Sequence, residues 1–405
     1  MEELEPIFNY CHSNALLAHL WPLDPAHLDR FTWHGPLPAM LFHWFMPNCS
    51  LQQIYVARTL AYLIIPCTLL VLVWRNMLPP MIGLATSLFA FALFEKLQFR
   101  PESFALIFVV LAYCAYRFRW PILEGFLGAC LIATAPVGGA LYALARLLLG
   151  GWPTVREVLF IVVGAAIGFT VLALLYPFPI KDLFAGLAAN ADVTVTRTDG
   201  NWATGLFLYY VRSDFLPLFG VTVVLLFFAL LRAAPLVLLL VPLVWFFGLK
   251  APPTNYNLMP LAIGLMLLGY PQMSRTWRSI SIAAFFIPAL LGLSQLTLRD
   301  TLSAQAYPDS YNQTRALVNK LLSEDKPLIR TPPFTIFMSP ALVKIAHNTF
   351  PDLSNEQLRG ARIVVADNSS RRQCPTGSKP INQDMSKIFI FNSSSSWAVG
   401  LCEVD

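Results

Sequence analysis

From Tyr55 to Leu296 the chain is almost continuously apolar, and this stretch limits the fold more than any other feature. An apolar run of about 18 or more residues is what a membrane-spanning helix needs, since backbone groups in hydrocarbon must be satisfied within the segment. The stretch holds many such runs. Charged residues make up only 13% of the 405 positions, against roughly a quarter in soluble domains. Ten spans are predicted, over 55–74, 78–95, 103–117, 121–135, 137–149, 157–175, 214–232, 234–248, 255–270 and 279–296. The fourth and fifth are short and separated by Pro136, so they are expected to be half-depth helices packed inside the bundle.

The flanks differ from this core. Residues 1–54 carry Trp21, Trp33, Trp44, several prolines and five histidines. They are too polar to span and read as an amphipathic segment on the outer face. Residues 299–405 have soluble composition, with Tyr311–Glu324 helical in period and Arg362–Ala366 and Lys387–Phe391 strand-like. The run Ser394–Ser396 reads as a loop. The fold class is therefore an α-helical multi-pass membrane bundle over 55–298 with a small extramembrane α/β domain after it.

Arginine placement sets the expected orientation. One set of alternate loops holds Arg75, Arg117, Arg119, Arg146, Arg156, Arg232, Arg275 and Arg278; the other holds Lys96, Arg100, Lys181, Arg197, Arg212 and Lys250. The first set is denser and belongs in the cytoplasm by the positive-inside rule. Residues 1–54, the 176–213 loop and the C-terminal region then lie outside, and the N-terminal segment either crosses with the first span or, as favoured, is carried across by an apolar helix upstream of Met1. Cys374 and Cys402 could pair in an oxidising compartment or remain free thiols. The net charge of +5 is spread singly between apolar runs, with no basic block that would suggest nucleic acid.

Ionisable groups at the outer rim are the candidates for chemistry. Glu5, Glu102, Arg58, Arg100, Lys250 and Tyr256 all fall there. Charges at helix ends are commonly plain interfacial residues, but groups that are neither solvated nor paired are costly at a membrane boundary and point to function. The histidine pairs His12/His19 and His27/His34 stand seven apart without the tighter spacing and nearby carboxylate of a metal site. His34 is assigned to the acceptor side or to structure, and no residue is assigned to a metal.

Three stretches in order resemble one family. Glu5-Pro6-Ile7-Phe8-Asn9-Tyr10, followed by Trp33-His34-Gly35-Pro36-Leu37-Pro38, is similar to a first acidic outer loop and its glycine-proline turn. Phe99-Arg100-Pro101-Glu102-Ser103 is similar to an arginine-proline-acidic second loop, and Lys250 to Pro260 to a late lysine, tyrosine and proline segment. Together they resemble the GT-C superfamily of membrane glycosyltransferases, in its protein O-mannosyltransferase and aminoarabinose transferase branch. The family usually has aspartate where Glu5 stands, and a helix before that loop.

The resemblance implies transfer of a sugar from a polyprenyl phosphate to a glycan, lipid or protein acceptor, at the outer face of a bacterial inner membrane, with the C-terminal domain in the periplasm. Glu5 would be the catalytic base. Lys250, Tyr256, Arg58 and Arg100 would bind the donor phosphate, and Glu102 would orient the acceptor or share a divalent cation such as Mg²⁺ or Mn²⁺ with it. Two other classes compete. An O-antigen-type polysaccharide polymerase would carry a more arginine-rich outer loop than 176–213. A multi-pass transporter would show internal repeats and charges at mid-membrane depth.

Overall fold

The structure, a computed structural model, describes residues 37–45, 51–97, 100–176, 225–231, 234–242, 258–295, 316, 328–329, 359–367, 377–380, 389–392 and 395–405. Its helices are α1 (Leu37–Phe45), α2 (Leu51–Trp74), α3 (Pro80–Leu97), α4 (Pro101–Arg117), α5 (Pro121–Thr134), α6 (Pro136–Leu149), α7 (Val155–Leu175), α8 (Met259–Gly269) and α9 (Arg275–Gln295). Residues 225–231 are also helical, and Pro235–Leu240 form a 3-10 turn.

Proline marks where helices begin. It occupies the first turn of α4, α5, α6 and α8, where its missing N–H would have had no intrahelical partner. Helix α7 instead starts with a capping box, in which Thr154 Oγ1 accepts from the Glu157 N–H while Glu157 Oε2 accepts from the Thr154 N–H at 2.8 Å. Pro66 lies inside α2 and Pro288 inside α9. Interior proline breaks helices in water but is tolerated where neighbouring helices restore the lost bonds.

Two helices, Val56–Trp74 and Val155–Leu175, are long and apolar enough to cross a membrane. Helix α7 packs on α5 through glycine. A Cβ on Gly125 would collide with the Ile161 carbonyl, and one on Gly164 with the Ile122 carbonyl, so the two backbones lie in near contact. This is the small-residue packing that lets apolar helices associate without a hydrophobic driving force between them. The opposite face of α7 exposes Leu159, Val162, Ile167 and Leu174.

The half-depth reading is corrected in part. Helices α5 and α6 are indeed 14 residues each, but α5 lies between α4 and α7 with Ile122 and Leu123 exposed. The interior helix is α8, in which every residue from Met259 to Gly269 is buried. At 11 residues it is roughly 16 Å long, about half the hydrocarbon thickness. An apolar helix hydrophobic on all sides has to be enclosed by others.

Hydrogen bonds join the loops of one end. Tyr270 Oη donates to the Met77 carbonyl at 3.2 Å, Gln272 Nε2 to that of Leu149 at 2.6 Å, and Tyr116 Oη to that of Gly150 at 2.9 Å. The connections after α2, α4, α6 and α8 therefore share an end, which carries Arg75, Arg117, Arg119, Arg146, Arg156, Arg275 and Arg278. The other end holds the start of α2, the close of α3, the starts of α4 and α8, and the far end of α9.

In the C-terminal region the described strands are β1 (Leu328–Ile329), β2 (Arg362–Asp367), β3 (Ser378–Pro380), β4 (Phe389–Asn392) and β5 (Ser395–Val404). Their order is β1-β2-β5-β3, with β4 also on β5. The pair β1–β2 is parallel, and β5 is antiparallel to β2, β3 and β4. The Ser394–Ser396 loop expectation is corrected, because Ser395 and Ser396 begin β5, paired with Asn392 and Ile390. Backbone pairing to β4 outweighs the poor strand propensity of serine there. Of Tyr311–Glu324, residue 316 alone is described, and it is helical.

Candidate functional site

The end opposite the arginines holds three of the sequence candidates. Arg58 lies in the second turn of α2 and is only 2% exposed. Its Nη2 donates to the Phe94 carbonyl at 2.7 Å, near the close of α3, and its guanidinium carbon sits 5.0 Å from the Phe94 ring centre. A carbonyl in the last turn of a helix lacks an intrahelical partner and carries the negative end of the helix dipole, so a cation there is favoured.

Arg100 and Glu102 start α4. Arg100 precedes a proline and is held extended, at φ −62° and ψ 139°, as its position requires. Glu102 occupies the first helical turn, where a negative charge meets the positive end of the helix dipole. Its Oε2 lies 3.3 Å from Arg100 Nε, and the residue is 2% exposed. Ser103 Oγ donates to the Arg100 carbonyl at 2.6 Å. The Arg-Pro-Glu-Ser sequence is thus also a well-made helix start, which accounts for part of its pattern.

Aromatic rings connect these groups, and sequence reasoning did not single them out. Phe94 meets Phe104 edge to face with centroids 5.5 Å apart, and Phe104 meets Phe42 of α1 in the same way at 5.5 Å. Tyr62 tilts against Phe94 at 5.6 Å. The Phe94 ring stands between the Arg58 guanidinium and Phe104, two residues beyond Glu102. Such walls lower the local dielectric and strengthen any charge interaction beside them. The available signal was phenylalanine recurring at 91, 94, 99 and 104 next to the charged loop, a pattern equally suited to plain core.

Four candidates, Glu5, His34, Lys250 and Tyr256, lie outside the described residues. Their chain neighbours are informative. Helix α1 begins at Leu37, and its Phe42 packs on Phe104. Helix α8 begins at Met259 on the same end. Among the described residues, no three of His, Cys, Asp and Glu converge as metal ligands.

The arginine end is built differently. Arg146 Nε donates to Glu124 Oε1 at 2.7 Å, and its guanidinium carbon lies 3.9 Å from the Tyr116 ring centre. Arg146 Nη1 also donates to the Gly151 carbonyl at 3.2 Å. Arg146, read from sequence as a loop charge, is the half-buried clamp that joins α5, α6 and the turn after α6.

No family model, curated protein or solved structure matches the chain.

Proposed function

We propose that the protein is a multi-pass membrane glycosyltransferase that takes its sugar from a polyprenyl phosphate at the face opposite the arginine end. The observation that carries this reading is that Arg58 of α2 and the Arg100–Glu102 pair of α4 lie at one end of an apolar bundle, linked through the Phe94 and Phe104 rings. Membrane residence is supported by the two long apolar helices and by tryptophans Trp74, Trp120 and Trp152 exposed at the arginine end. Tryptophan and arginine together mark a membrane–water interface, and arginine density marks the cytoplasmic one.

The C-terminal region supports the same orientation. Cys402 is disulfide-bonded to a residue outside the described ones. Disulfides persist in oxidising compartments. Helix α9 starts at the arginine end, and its 21 residues rise roughly 32 Å, so its far end lies at the opposite end of the bundle.

In the reaction, the bond from the anomeric carbon to the phosphate oxygen breaks and its electron pair leaves with the phosphate. The acceptor oxygen bonds to that carbon and gives its proton to Glu5. A base so placed contributes roughly 10²–10⁴-fold. Lys250, with Arg58 and Arg100, supplies positive charge where the phosphate gains negative charge, Tyr256 gives it a hydrogen bond, and Glu102 orients the acceptor. A divalent cation would add Lewis-acid charge at the phosphate, with Glu102 as its oxygen donor.

The test is transfer from labelled polyprenyl-phosphate sugars in membranes holding the full chain. Glu5→Gln should reduce the rate by about 10²-fold or more, and Lys250→Ala should impair turnover at saturating donor. Undiminished transfer in both variants would remove the assigned roles.

A further inference from the structure

A second site lies at the arginine end, far from the residues assigned to transfer. There a groove of about 510 Å³ runs along the surface beside the close α5–α7 seam, within the size range of small-molecule sites. Ile122, Leu123, Phe126, Phe160 and Ile167 line it, and Arg119 stands at its mouth. The groove opens on the outward face of α7, the more exposed of the two long apolar helices among the described residues.

Two cations border the mouth. Arg119 is exposed and held at φ 58°, a left-handed conformation that non-glycine residues seldom adopt. Arg156 is exposed, and its guanidinium carbon sits 5.5 Å from the ring centre of Phe160, itself part of the lining. Neither has an ion-pair partner among the described residues. The nearby acid, Glu157, is engaged by Thr154 through the cap, with Thr154 Oγ1 at 3.0 Å. Trp120, also in the lining, stacks on Phe118 at 5.1 Å and is exposed at the same level.

The dimensions fit a lipid. From Arg156 to Ile167, α7 rises roughly 16 Å, close to the half-thickness of a hydrocarbon core of about 30 Å. An object with negative charge at one end and an apolar chain reaching mid-membrane satisfies both the cations and the groove. We propose that this groove holds one anionic phospholipid of the surrounding leaflet, its phosphate near Arg119 and Arg156 and one acyl chain lying in the groove beside the α5–α7 seam. The inference rests on membrane residence and is independent of glycosyl transfer.

The full chain would be reconstituted into vesicles of mixed phosphatidylcholine and phosphatidylglycerol, extracted, and weighed intact by native mass spectrometry. One phosphatidylglycerol should be retained in preference to phosphatidylcholine. Neutralising both cations, with Arg119→Asn to keep the left-handed backbone and Arg156→Gln, should lower that preference roughly tenfold or more. Ile167→Trp, which fills the groove, should displace both lipids. Arg75→Gln, at the same end but stacked on Trp74, should change neither. Equal retention of the two lipids by the wild type would overturn the proposal, as would an unaltered preference in the double variant. A loss in Arg75→Gln as large as in the double variant would also overturn it, since general surface charge would then explain the binding. The transfer assay is a separate readout, so failure of either reading leaves the other standing.

Discussion

Two glycines one turn apart on α5 should respond with opposite sign to the same substitution. A Cβ at Gly125 would fall on the carbonyl of Ile161, a backbone atom that cannot rotate away. Gly125→Ala must therefore push α5 and α7 apart along their contact. Overpacking of this kind costs about 1–3 kcal/mol, and the upper part of that range is expected because backbone opposes the methyl. At Gly128 a Cβ meets nothing within 4 Å. Gly128→Ala should instead stabilise by roughly 0.5–1 kcal/mol, the entropy that glycine loses in a helix interior. Thermal unfolding in detergent reads both. At roughly 2–4 °C per kcal/mol for a body of this size, Gly125→Ala should fall about 4–10 °C and Gly128→Ala should rise about 1–4 °C. Gly164→Ala, facing the Ile122 carbonyl from α7, should behave like Gly125→Ala. Equal midpoints for Gly125→Ala and Gly128→Ala would refute the close α5–α7 approach and the lipid groove built beside it.

Arg146→Met leaves the mostly buried Glu124 carboxylate unpaired, so it should cost about 3 kcal/mol, while Glu124→Gln/Arg146→Met should recover much of that loss. Equal melting points for the single and double variants would show that the pair carries no weight. Phe94→Leu removes the ring beside Arg58, and the KM for the lipid-phosphate donor should rise a few-fold with kcat little changed, as loss of a cation–π contact predicts. An equal fall in kcat would assign Phe94 to the chemical step instead. Cys402 is 1% exposed, so in denaturant a maleimide should label it only after reduction. Labelling without reductant would remove the disulfide.

Hydrophobic runs and prolines were enough to predict α2 to α9 within a few residues, because each signal is local, whereas α1 fell in the segment read as interfacial and was not predicted. A run of apolar residues long enough for hydrocarbon can satisfy its backbone only as helix, and proline at a first turn fixes where that helix starts. The alternation of arginine-bearing loops implied that Arg75, Arg117, Arg146 and Arg275 share one end, and the bonds from Tyr270 to Met77 and from Gln272 to Leu149 connect that end in space. The strand at Arg362 was equally legible, whereas Ser395 and Ser396 were not, since a strand formed by pairing with β4 depends on a partner that its own residues do not reveal. Which short helix is enclosed was likewise undecidable from sequence. Helices α5, α6 and α8 are all short and apolar, and only the surrounding helices select α8 as the buried one. The same holds at the candidate site. Sequence nominated Arg58, Arg100 and Glu102 as rim charges, but tertiary packing set Phe94 between Arg58 and Phe104 and enclosed both Arg58 and Glu102. Local composition dictates what a segment can become in lipid, while burial and pairing are properties of the neighbours it meets.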